Sequence, residues 1–301
     1  MHLAHIFSGL LFTSLISTVV FSQALEGIKQ PVYHASETQY VDLIHTDLEV
    51  DFDWENSALK GKEEILFTPY YRSINELKLD AKSMTFSEVS IAGKSLEYSY
   101  DGMELIIHLP KSYSKNDTIA LNIVYTAFPE ELKAEGSAAI TEAKGLYFIN
   151  NKKVPEGRMP QVWTQGETEA SSAWFPTVDT PNQKHAQDIY ICVDPNMMAL
   201  SNGALVGVEK TEDTWIYHWK QELQHAPYLS MMAVGEFVEI KDSVRLASGR
   251  MLPLRYYVEP EWEHEAKQIF GNTGEMIQHF SKLLGVEFPW DKYSQIIVRN
   301  F

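Results

Sequence analysis

The chain predicts a mainly β protein with a helical region at its end, and three observations carry that expectation. Short segments alternate apolar and polar residues with the period of two that turns one strand face towards a core. Turn formers separate these segments at short intervals, as antiparallel connections require. After Pro260 the apolar spacing changes to three, four and seven, the period of helices. The expected architecture is a large antiparallel β domain, a sandwich or saddle, over residues 24–257. Residues 258–301 then begin a mixed, helix-containing domain.

The N-terminus, "MHLAHIFSGLLFTSLISTVVFSQALEG", is an apolar run broken by small and hydroxyl residues, with a small residue, Ser22, before Gln23. That pattern predicts a signal peptide over residues 1–22 and an exported protein, periplasmic or extracellular, free of the membrane after cleavage. His2 and His5 stand where lysine or arginine is usual, so an uncleaved membrane anchor is the competing reading. Strand-like runs begin at "YVDLIHTDLEVDFDW" and recur in "GKEEILFTPYY", "NELKLDAKSM", "SEVSIAG", "MELIIHLP" and "DTIALNIVYTA", with turns at Gly61, Gly93, Asp101-Gly102 and Asn116-Asp117. A second β stretch runs from Gln187 to about Tyr257, with Asn202-Gly203 expected to form a hairpin turn. From Pro260, residues Trp262, Ala266, Ile269, Phe270, Ile277, Phe280 and Leu284 define a helical stripe. Gly285 is its stop, and the Gly271–Gly274 patch is a place to split it in two. The final segment, "VEFPWDKYSQIIVRNF", reads as a loop feeding a strand. Some forty residues are too few to close a core of their own, so the reading expects the remainder of a domain to be missing.

Bulk composition excludes several functions. With 45% hydrophobic and 12% aromatic residues the 301-residue chain buries a sizeable core. Its 25 basic and 41 acidic residues give a formal charge of −16, which repels phosphate backbones and argues against a nucleic-acid partner. The single cysteine, Cys192, cannot form an intrachain disulfide. Among β-branched and aromatic neighbours it reads as a buried, inert thiol.

The chemically suggestive stretch is "QVWTQGETEASSAWFPTVDTPNQK", Gln161 to Lys184. On a strand, residues two apart share a face, so Gln165, Glu167 and Glu169 are expected to project together. Such a row is a solvated strand face, a pair of glycosidase carboxylates or an anchor for a substrate's positive charge. Glycosidase pairs normally come from separate elements flanking a sugar. A carboxylate in a cleft is a natural partner for a peptide's α-amino group, which titrates near ~7.7–8 and is largely an ammonium ion at neutral pH.

Three segments together resemble the zinc aminopeptidases of the aminopeptidase N and leukotriene hydrolase type. "TQGETEASSAWFPTVDTP" is similar to their signature at Thr164, Gln165, Glu167, Phe175, Pro176, Asp179 and Pro181. It departs at Ser172, where many members carry arginine, and at Trp174. "HAPYLSMMAVGEF" and "SKLLGVEFPWDKYSQIIV" are similar to two later family segments, the second leading into a thermolysin-like catalytic domain. The resemblance implies that Glu167 holds the substrate amine, with Gln165 lining the same pocket. Glu169 has no such support and remains solvated surface.

The family binds zinc through His-Glu-x-x-His plus a more distant glutamate, after a Gly-x-Met-Glu-Asn strand that binds the peptide. Neither motif occurs here. In "HEAKQ" the fifth residue is Gln268, so His264 lacks its i+4 partner. His34, His45, His108, His185, His218, His225 and His279 show no ligand spacing and read as structural or exposed. The expectation is therefore the N-terminal portion of a zinc-dependent aminopeptidase acting on peptides with free N-termini. No catalytic or metal-binding residue lies in this chain, zinc is needed only by the full-length enzyme, and the missing C-terminal catalytic region is its structural partner. The alternative is an exported, non-catalytic β-rich module that recognises peptide N-termini or a protein partner.

Overall fold

A computed structural model describes residues 35, 38–133, 143–150 and 159–301; the expected signal segment lies outside them. Residues Thr38–Phe301 form one compact unit. The first half carries β1 (Val41–Asp53), β2 (Ala58–Pro69), β3 (Ile74–Asp80), β4 (Met84–Ile91), β5 (Lys94–Ser95), β6 (Tyr98–Tyr100), β7 (Glu104–Tyr113) and β8 (Ile119–Ala127); all but the short β5 and β6 overlap the alternating runs that predicted them, and Gly61, expected at a turn, lies inside β2. Then come β9 (Leu146–Ile149), β10 (Gln161–Thr164), β11 (His185–Val193), β12 (Met198–Ser201), β13 (Ala204–Lys210), β14 (Trp215–His225) and β15 (Met232–Gly235). The last are β16 (Val238–Arg245), β17 (Met251–Val258) and β18 (Tyr293–Ile296).

The largest sheet has the order β13-β14-β11-β1-β2-β8-β4-β5, and smaller sheets have the orders β12-β15-β10-β9, β3-β7-β6 and β16-β17-β18. Pairing is antiparallel except for β1 with β11 and β17 with β18. β8 shows the cause of layering most clearly, since residues Ile119, Leu121, Ile123, Tyr125 and Ala127 alternate buried with half-buried ones between. Leu48, Val50, Ile65 and Phe67 from the central strands join them in the main core, with Trp174 and Phe175 from the signature stretch. Burying one such side chain contributes roughly 1.5–3 kcal/mol, so the signature loop is held by core packing as well as by polar bonds.

Asn202-Gly203 does not make the hairpin that the sequence predicts. β12 pairs with β15 and β13 with β14, so this corner carries the chain from one sheet to another. Gly203 takes the left-handed φ of 72°, and Asn202 instead binds across the corner, donating to the Leu229 carbonyl at 3.0 Å and accepting from Met231 N–H at 2.7 Å.

The helical region divides where expected, into α1 (Glu263–Phe270) and α2 (Thr273–Leu284), with Gly285 in a left-handed cap. A second apolar cluster joins Ala266, Phe270 and Ile277 to Val244, Leu252, Leu254, Tyr256 and Val258, so the helices close their core on strands that precede residue 258. The predicted stripe is only half used, since Trp262, Ile269, Phe280 and Leu284 are exposed.

Candidate functional site

Strand β10 ends at Thr164, and this corrects the face-sharing argument for Gln165, Glu167 and Glu169. Residues 167–170 form a turn, closed by Ala170 N–H donating to the Gly166 carbonyl at 2.8 Å and followed by a 3₁₀ turn over Ser171–Ala173. The polar alternation of Gln-Gly-Glu-Thr-Glu imitates a strand, but the strand stops at Thr164 and the chain turns over residues 167–170. Gln165 is half-buried, while Glu167 and Glu169 are both exposed on the turn. The Glu167–Thr168 peptide is cis.

This turn is braced on several sides. Thr164 Oγ1 accepts from Met232 N–H at 2.9 Å, and Gln165 N–H donates to the Gly145 carbonyl at 2.9 Å. A Cβ on Gly166 would lie 2.3 Å from the Tyr228 carbonyl oxygen, so only glycine lets the turn approach this segment. Ser171 Oγ donates to the Pro227 carbonyl at 2.8 Å. Pro227 and Tyr228 belong to "HAPYLSMMAVGEF", so two motifs far apart in sequence are in contact at the turn.

Asp179 supplies the brace on the other side. Its Oδ2 accepts from Ser172 N–H at 2.8 Å, and its own N–H donates to Asp80 Oδ2 at 2.8 Å. Desolvation pushes its carboxyl up to about 6, opposed by the bonds from Ser172 and by the charge of Lys82. Lys82 also donates N–H to the Ser172 carbonyl at 2.8 Å and Nζ to the Glu169 carbonyl. At the position where the resemblance expects arginine, a buried serine thus lies beside a lysine from another segment. Sequence reasoning matched Asp179 without reading its task, and no local pattern marks Lys82.

The third motif region reaches the opposite end of β10. Gln161 is fully buried; its Nε2 donates to Glu259 Oε1 at 2.6 Å and its Oε1 accepts from Arg299 N–H at 3.0 Å. Arg299 grips Glu259 through two guanidinium nitrogens, Nε at 2.6 Å and Nη2 on the second oxygen, a bidentate pair. Trp163 Nε1 donates to the Arg299 carbonyl at 3.1 Å, and its ring stacks on Tyr147 at 4.2 Å. A short strand therefore fixes the turn bearing Glu167 to the segment ending at Phe301.

The histidines fall into several settings. His45 and His218 both donate through Nε2 to Asp188, at 3.0 and 2.5 Å. His185 and His225 stack at 5.2 Å; burial lowers them to about 3 and about 4. His264 is 78% exposed and pairs with Glu265, and His34 lies outside the described residues. Cys192 is half-buried rather than fully so, its thiol raised to about 11 by desolvation and then by Glu49 and Asp51. Among the described residues no three His, Cys, Asp or Glu side chains converge on a point that could hold a metal ion, so no zinc chemistry is assigned to them. What the turn offers is an exposed carboxylate, Glu167, on a backbone with little freedom to move, beside the amide of Gln165.

Residues 42–229 match the Peptidase M1 N-terminal domain, and the chain belongs to that family. Leucine aminopeptidase 2 of Vanderwaltozyma polyspora is 24% identical over 278 residues, covering 88% of this chain and 38% of the relative. Among solved structures, an M1 zinc metallopeptidase from Deinococcus radiodurans bound to a Tyr-Ser-Ala substrate superposes with a TM-score of 0.72 at 14% identity, over 90% of this chain and 60% of that one. The native yeast LTA4 hydrolase superposes with a TM-score of 0.69 at 22% identity, over 89% and 40%. The chain thus spans less than two thirds of each of these relatives, from 38% to 60% of their length.

Proposed function

We propose that this chain is the N-terminal portion of an exported zinc-dependent aminopeptidase and supplies the carboxylate that holds the substrate's free N-terminal ammonium. Glu167 is that carboxylate, with Gln165 beside it. The observation that carries the reading is the convergence of the three motif regions on the two ends of β10, which leaves Glu167 presented to solvent on a backbone fixed by Gly166, Asp179 and the Gln161–Glu259–Arg299 network. A pre-positioned anion of this kind holds an ammonium without first having to be ordered.

In the whole enzyme the metal would polarise water and the first peptide bond. This chain's residues would fix where the peptide begins, so that one residue is counted off from the amine. Family membership, a relative bound to a tripeptide substrate and the exposed apolar residues Ile269, Phe280, Leu283 and Leu284 support the reading of a portion awaiting its packing partner. By itself the chain is expected to bind no stoichiometric zinc and to release no amino acid from aminoacyl chromogenic substrates. Metal analysis and one activity assay on purified residues 23–301 test this. One tight zinc per chain, or turnover abolished by a chelator, contradicts it.

A further inference from the structure

A cavity of about 510 Å³ opens where β12, β13 and β14 meet β16 and β17, away from the Glu167 turn. Its size lies within the range of ordinary small-molecule sites. Its apolar surface is aromatic, with Trp219, Tyr217, Phe237 and Tyr257 contributing, and Leu205 stands at its rim with 46% exposure. Trp219 is fixed through Nε1 to the Ala199 carbonyl at 3.0 Å, and Tyr257 through its hydroxyl to Glu239 at 3.3 Å. These rings are therefore held in place before any ligand arrives.

The charges lining the cavity do not balance. Arg255, Lys241 and Lys292 face two carboxylates, Glu239 and Asp291, in a chain whose formal charge is −16. Glu239 is shared, since Arg255 Nε lies 3.1 Å from one of its oxygens and Lys241 Nζ 3.4 Å from the other. Arg255 Nη1 donates to the carbonyls of Asp242 and Leu254, at 3.1 and 2.8 Å, while Nη2 has no partner among the described residues. Lys292 places its ammonium 4.5 Å from the centre of the Trp219 ring and donates to the Ser201 and Gly203 carbonyls, at 2.7 and 2.5 Å. Those partners are neutral. Burial among them lowers Lys292 to about 8, and the neighbouring Asp291 offsets only part of that.

We infer that this cavity binds a small apolar monocarboxylate, its aromatic rings taking the apolar body and Arg255 with Lys292 taking the carboxylate. One ligand negative charge neutralises the single excess positive charge, and a guanidinium with a free nitrogen is suited to a carboxylate oxygen. The shared chemistry is an apolar group carrying one carboxylate, which a free arylalkanoic acid and the C-terminus of a peptide both present. The site is separate from the amine-binding reading of Glu167 and does not depend on it.

Titration calorimetry on the 301-residue chain tests the inference with 3-phenylpropionate, its neutral amide and N-acetyl-Gly-Phe, whose blocked amine removes any contribution from Glu167. The acid is expected to saturate one site with a Kd on the order of 1 mM or tighter, and the amide to bind about 10-fold more weakly or worse. If N-acetyl-Gly-Phe binds more tightly than the free acid, a peptide C-terminus is the source; the reverse identifies a small acid. Leu205→Glu, on an exposed edge where it leaves the fold unchanged, places a like charge at the rim and is expected to abolish binding of both acids. Equal affinity for acid and amide, no saturation by either acid at about 10 mM, or unchanged binding by a folded Leu205→Glu variant overturns the assignment.

Discussion

Asp179 ties the signature loop to a measurable pH dependence. Its folded pKa, about 6, lies above its ordinary value of 3.8 because desolvation outweighs the Ser172 bonds and the charge of Lys82. Folding therefore favours the protonated form. The cost of ionising it is absent below about pH 4, grows between about 4 and 6, and reaches about 3 kcal/mol above that. Asp179→Asn keeps an oxygen to accept Ser172 N–H and removes the charge. Urea denaturation is expected to show the variant more stable than wild type at pH 7.5, with the difference closing towards pH 4.5; a difference independent of pH contradicts the argument. His185 has the opposite sign. Its pKa is lowered from 6.5 to about 3 by burial and then by His225, so the stability of its neutral form is complete above about 6.5 and lost as pH falls towards 3. His185→Phe preserves a ring against His225 and Phe175, and is expected to flatten the loss of stability between pH 6.5 and 4. A slope equal to that of wild type in the same denaturation series would show that His185 does not carry the effect.

At the scale of elements, the turn after β10 depends on one glycine. Gly166→Ala would place a Cβ 2.3 Å from the Tyr228 carbonyl and 2.5 Å from Ser171 Oγ, a clash with backbone on one side. Overpacking of this kind typically costs about 1–3 kcal/mol, and thermal denaturation is expected to show that loss; a variant as stable as wild type would contradict the close approach. The central strands of the large sheet were legible because one face of each is buried, as the alternation in β1, β2 and β8 states directly. The helices were legible from Pro260, the split near Gly271 and the stop at Gly285. Alternation cannot reveal which strand lies next to which, so the parallel pairing of β1 with β11 had no local signal. Nor did Asn202-Gly203 announce a change of sheet, because a corner and a hairpin use the same residue types. For the same reason the run Gln165 to Glu169 read as strand, since polar alternation in a turn is indistinguishable from polar alternation on an exposed face. The choice of Glu167 over Glu169 rests on the resemblance to the aminopeptidases, which periodicity could not replace.

The β domain and the helix-bearing segment are joined by polar contacts at several places, and at one of them buried Gln161 binds both members of the Glu259–Arg299 pair. Glu259 is buried and Arg299 partly exposed, so removing Glu259 leaves Gln161 and Arg299 without their shared acceptor at a cost of roughly 1–3 kcal/mol. Glu259→Ala is expected to loosen the segment after β17 towards limited proteolysis before the β sheets are cut; simultaneous cleavage throughout would show that the pair does not hold the segment. The central claim of the proposed function is that Glu167 grips the substrate ammonium, and kinetics on this chain joined to the zinc-bearing region of an M1 aminopeptidase test it most directly, on a peptide with a free N-terminal amine and with the zinc content of each variant checked. Removing one member of a desolvated charge pair typically costs about 2–5 kcal/mol. Glu167→Ala is therefore expected to lower kcat/KM by roughly 30-fold or more, Glu167→Gln to recover part of that loss, and Glu169→Ala to change little. Near-normal kcat/KM in Glu167→Ala, with zinc intact, would contradict the account.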